Sequence, residues 1–132
     1  MTIYDFLITN NEVIRLSEQP KKDIVEKFVD QFVDQQLVQQ YILYWNSIKN
    51  KYNEKKKRIS FEELNAMDSK TLECIYIYVE RNREIFSGSI QVIFDYLEQQ
   101  EPWEETDIIV FDESYEWFIA FTHEDELIFI EK

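Results

Sequence analysis

Glycine, proline, cysteine and histidine are nearly missing from this chain of 132 residues, which has one Gly, two Pro, one Cys and one His. A lone glycine, Gly88, excludes the glycine-rich loops of phosphate cradles and dinucleotide folds, and the Gly-flanked elbow of many serine hydrolases. With only Pro20 and Pro102 to break it, the chain is expected to form regular, long elements. A single cysteine, Cys74, leaves no intrachain disulfide and fits a reducing cytoplasm. Within the apolar run Leu72–Val79 it reads as a small buried hydrophobe. One histidine, His123, is too few for a histidine metal site, and the consecutive side chains of His123-Glu124-Asp125-Glu126 alternate in direction, so no metal is expected. No run approaches the roughly eighteen apolar residues of a membrane span. The start, Met1-Thr2-Ile3-Tyr4-Asp5, lacks the basic-then-apolar pattern of a signal peptide. A soluble, cytoplasmic protein without a cofactor is the expectation.

Positive charge is also scarce: 14 Lys and Arg stand against 27 Asp and Glu, a formal net charge of −13. Phosphates would be repelled, so direct nucleic-acid binding is not expected, whereas cationic partners would be attracted. The imbalance is local. Residues 101–132 hold eleven acids and one base, Lys132, a net of −10. The same stretch carries Trp103, Phe111, Tyr115, Trp117, Phe118, Phe121 and Phe129. With 45% hydrophobic and 16% aromatic residues the chain is too apolar for intrinsic disorder, and its length suits one domain, 1–132, with a core that needs no staples.

Apolar spacing sets the expected elements. Ile24, Val25, Phe28, Val29, Phe32 and Val33 form a stripe of period near 3.6 that continues through Leu37, Val38, Tyr41, Ile42 and Trp45. Ser17 is placed to cap this helix, with Pro20 tolerated in its first turn. Unbroken to Lys51, it would run about 50 Å, too long for a small domain, so a break near Asp34–Gln36 is expected. The basic run Lys49–Arg58 reads as a solvated helix end and loop. Ser60-Phe61-Glu62-Glu63 matches a capping box, opening a short helix that ends near Met67 or Asp68. Residues 72–79 fit a helical stripe, but their β-branched and aromatic content favours a strand buried on both faces. Ser87-Gly88-Ser89 punctuates, and a helix carrying Ile90, Ile93, Tyr96 and Leu97 follows until Pro102. Strands at Ile108–Phe111, around Tyr115–Phe121 with period two, and at Leu127–Ile130 are joined by short acidic turns, an antiparallel meander. The expected fold is α+β: N-terminal helices on one face of a mostly antiparallel sheet of about four strands, ending in that three-stranded meander.

Chemistry is hard to place on this pattern. Carboxylates are everywhere, so their pairing decides nothing, and no catalytic residue stands out; a non-enzymatic protein is expected. Aromatic anchors among acids suit protein binding, because hot spots favour Trp and Tyr in a dry centre with a polar rim. The contact candidates are Glu113, Glu116, Trp117, Glu124, Asp125 and Glu126. Trp117 also reads as an inward anchor of the middle strand.

Asp107-Ile108-Ile109-Val110-Phe111-Asp112-Glu113-Ser114-Tyr115-Glu116-Trp117-Phe118-Ile119-Ala120-Phe121-Thr122-His123-Glu124 resembles a pattern of small bacterial immunity-type proteins and related families of Gram-positive bacteria. There a strand ends in an acidic turn, a second strand carries Trp, and a Thr-His-Glu turn leads into a last strand. The resemblance covers 18 of 132 residues and implies a cytoplasmic inhibitor of a cognate toxin, a basic protein such as a nuclease. Two alternatives belong to other classes: a phage-type DNA mimic that occupies nucleic-acid channels, and a homo-oligomeric regulatory module built on the Phe/Val stripe.

Overall fold

The computed structural model describes residues 1–41, 43–67 and 70–132. Its centre is a seven-stranded sheet of β1 (Ile14–Arg15), β2 (Lys57–Ile59), β3 (Ile75–Val79), β4 (Glu84–Gly88), β5 (Ile108–Phe111), β6 (Trp117–Phe121) and β7 (Leu127–Glu131), in the order β1-β4-β3-β5-β6-β7-β2. Every pairing is antiparallel. The α+β class and the C-terminal meander are therefore present, inside a sheet of seven strands where about four were expected. The additions come from β4, which forms a hairpin with β3, and from the short outer strands β1 and β2. β2 falls in the basic run expected to be a helix end and loop. That run instead forms a 3-10 helix, Asn50–Lys55, and then pairs Lys57 with Phe129 and Ile59 with Leu127 along β7.

Helices cover both faces of the sheet, not one. On one face, α1 (Ile3–Thr9), α4 (Phe61–Asn65) and α5 (Ile90–Gln99) bring Leu7, Leu64 and Ile93 onto Ile77, Val110 and Ile119. On the other, α2 (Glu18–Phe32) and the segment after α3 (Gln35–Tyr41) bring Phe28, Phe32, Ile48 and Tyr52 onto Ile109, Phe118 and Ile130. Alternation explains why two layers are needed: every residue of β5 and β6 is buried, so each strand sends apolar side chains both ways. Aromatic rings knit the second face, with Phe28 4.7 Å from Phe111 and Phe32 4.9 Å from Phe118, measured between ring centroids.

Local chemistry sets the ends of the elements. The expected break in the long helix occurs at Val33, which turns extended and bridges to Ile48, while Asp34 N–H donates to the Ser47 carbonyl at 2.8 Å. Ser17 takes the N-cap position of α2 without making a side-chain bond, because the third helical residue, Pro20, has no N–H to offer. The capping box of α4 forms in full, Glu63 N–H donating to Ser60 Oγ at 3.1 Å and Ser60 N–H to Glu63 Oε1 at 3.2 Å. Residues 72–79 do supply a strand, but it starts at Ile75. Cys74 lies in the turn before it and is exposed, not buried as its apolar neighbours suggested. Two expected features, Ile42 in the helical stripe and a helix end at Asp68, lie outside the described residues.

Candidate binding surface at the acidic end of the sheet

Because β6 is a single straight strand, the turns before and after it lie at opposite ends of the sheet, about 20 Å apart at roughly 3.3 Å per residue. The contact candidates therefore do not form one site. Glu113 and Glu116 are exposed at one end; Glu124 and Asp125 are exposed at the other, with Glu126 half-buried beside them. Trp117 belongs to neither surface. It is 7% exposed, packs in the core, and its indole N–H donates to Asp112 Oδ2 at 3.3 Å. Its aromatic bulk faces inward because the first position of β6 points to the α1/α4/α5 side. Tyr115 is half-buried against Phe111, leaving Trp103, 77% exposed, as the outward-facing aromatic among these three.

The turn carrying Glu124–Glu126 is held firmly. Buried Thr122 accepts from the N–H groups of both Glu124 and Glu126 at 3.3 Å, and its own N–H donates to the Glu126 carbonyl at 3.0 Å. Asp125 sits at φ 60, a left-handed conformation that Asp tolerates better than most residues.

Behind the turn lies a hub that no sequence motif announces. The Asp107 carboxylate is wholly buried, and Arg81 donates to its Oδ2 through Nε at 2.7 Å and reaches it with Nη2 at 2.6 Å. Oδ1 accepts from Trp45 Nε1 and from His123 N–H, each at 3.1 Å, and lies 3.0 Å from His123 Nδ1. Arg81 also pairs with Glu105 at 2.8 Å. One carboxylate thus joins the end of β3, the start of β5, the β6–β7 turn and the 3-10 turn Tyr44–Asn46.

Glu80, beside it, is 7% exposed and accepts from Tyr44 N–H at 2.5 Å through Oε1, while Oε2 is buried with no hydrogen-bond partner among the described residues. Burial pushes this carboxyl up to about 8; the Tyr44 N–H pulls the other way, and the charge of Asp107 adds to the rise. Both carboxylates accept hydrogen bonds from the fold itself, Asp107 from Arg81, Trp45 and His123 and Glu80 from Tyr44, and so tie loops together.

Next to the rigid turn, α4, α5 and the β6–β7 end enclose a groove of about 520 Å³. Phe61, Phe94, Leu97, Phe121 and Leu127 contribute apolar surface, and Glu98, Asp125 and Glu126 stand on its rim.

No family model, curated protein or solved structure matches the chain. Among the described residues no group of three or more His, Cys, Asp or Glu side chains is placed to hold a metal ion, and no helix is long and apolar enough to cross a membrane.

Sequence reasoning missed Trp45, Glu80, Arg81 and Asp107. One signal was available for Asp107 and His123: a hairpin pairing Ile108 with Phe121 sets position 107 beside 122 and 123. Nothing local links Trp45 or Arg81 to that hairpin.

Proposed function

We propose that this protein is a non-enzymatic inhibitor that binds and neutralises a basic protein partner, as an immunity protein does its cognate toxin. The observation that carries the reading is the preorganised acidic turn Glu124–Glu126, pinned by Thr122 and Asp107 beside an apolar groove. Rigid acids attract a cationic surface and lose little conformational freedom when it docks, which favours both fast encounter and affinity. A nuclease suits such a partner, because an active site built for phosphates is positive.

The reading is tested by co-expressing this chain with a toxic basic protein encoded in its gene neighbourhood and by mixing the purified pair. Expected are restored growth and a complex whose association rate falls steeply with salt. Unchanged killing, together with no complex at low salt, refutes it.

A second reading, a DNA mimic, is favoured by the placement of the tail's acids at both ends of β6 and not in one patch. Competition with DNA for several unrelated DNA-binding proteins would support that reading over the first.

A further inference from the structure

The structure carries an interaction surface more specific than acidity alone. We propose that the groove between α4, α5 and the β6–β7 turn is the docking site for a basic segment of the partner that inserts an apolar side chain, Leu or Phe, between flanking Lys or Arg residues. This rests on the basic-partner reading and names the part of the partner that this face takes.

Three observations point to that occupant. The groove, about 520 Å³, is the size of a pocket for a small ligand or one or two large side chains. Its apolar wall is partly open: Phe61, at the start of α4, is 45% exposed, and Phe94 and Leu97, one helical turn apart on α5, are half-buried. Its rim is acidic, with Glu98 and Asp125 exposed and Glu126 meeting Arg58 only at 3.4 Å. A purely charged partner would leave the apolar wall wet, and a purely apolar one would bury the rim carboxylates without partners. A second copy of this chain, at −13, would set like charge against like around the groove.

The test uses the whole chain, isotope-labelled, and two lysine-rich hexapeptides, one with a central Leu-Phe pair and one with Gly-Ser in its place. Expected at low salt is binding of the Leu-Phe peptide at least about fivefold tighter, the size of effect that partial burial of one or two large side chains gives. Amide shifts should centre on residues 94–98 and 121–127, and Phe61→Ser with Leu97→Gln should abolish the preference while leaving the salt-dependent attraction. Equal affinities, or shifts centred elsewhere, overturn the groove and leave the basic-partner reading standing. No binding of either peptide at low salt overturns both. A dimer in sedimentation whose formation is lost on Phe61→Ser would overturn the proposal in favour of self-association.

Discussion

Replacing Glu80 by Gln should remove a pH dependence of stability that the fold builds in. Glu80 is 7% exposed, and burial raises its carboxyl from 4.5 to about 8. An acid raised in the folded state keeps a proton that the unfolded chain has already released, so stability falls as pH rises between those two values. Each pH unit in that interval carries ~1.4 kcal/mol, which sets a ceiling of about 4 kcal/mol between pH 5 and 8; relaxation and water entry around the buried charge bring it nearer 2 kcal/mol. The amide of the E80Q variant would imitate the neutral acid: its carbonyl can still accept from Tyr44 N–H, now 2.5 Å from Oε1. The amide's new donors cost the same at every pH, so they offset the stability curve without tilting it. Urea unfolding followed by tryptophan fluorescence, for both proteins across pH 5 to 8, gives the comparison. The wild type should lose stability relative to E80Q as pH rises, and parallel curves would refute the account of Glu80.

Three further outcomes are expected. Reversing Glu124, Asp125 and Glu126 to Lys should slow partner association by about tenfold or more at low salt, whereas reversing Glu113 and Glu116, at the far end of β6, should leave it nearly unchanged; stopped-flow mixing distinguishes the two sets. Asp107→Ala should cost about 1–3 kcal/mol in chemical unfolding, because it removes the wholly buried acceptor shared by Trp45, His123 and Arg81, while the half-exposed Arg81 guanidinium can still be hydrated. Gly88→Ala should cost about 1–3 kcal/mol, since a Cβ there would lie 2.7 Å from Val13 Cγ1. Repeating it in a Val13→Ala background should recover much of that loss, and a double-mutant cycle showing no coupling would contradict the packing argument.

The C-terminal meander was legible because its strands alternate strongly and its turns are short. The helix to Phe32 and the break after it were legible because the apolar stripe outran the size of a domain, but Trp45, expected on the same helical stripe, lies in the 3-10 turn Tyr44–Asn46. What escaped was structure whose local signal points elsewhere. Lys57 and Arg58 look like a solvated loop, and they become strand only because β7 offers an open edge. Ser87 and Gly88 look like punctuation, yet Gly88 completes β4 opposite Ile75. α1 spans seven residues, too short for a periodic pattern to declare itself. At the candidate site the acids were visible but their separation was not, since distance depends on strand direction and not on spacing in the sequence. Trp117 could be read either way until β6 gave it an inward face. Asp107 gathers residues as far as 62 positions away, as with Trp45, and no local pattern encodes such a meeting.

The outermost strands of the sheet are its two shortest, Ile14–Arg15 and Lys57–Ile59. An open ladder of backbone donors and acceptors invites strands from another molecule, and growth by that route ends in fibres. Here one border is two residues long and carries Arg15, bonded to Glu84, and the other is three residues long and carries exposed Lys57 and Arg58. An incoming copy would find few rungs to climb and a cation at each. A sheet whose central strand β5 is buried along its whole length thus ends on two borders that offer another copy little to pair with.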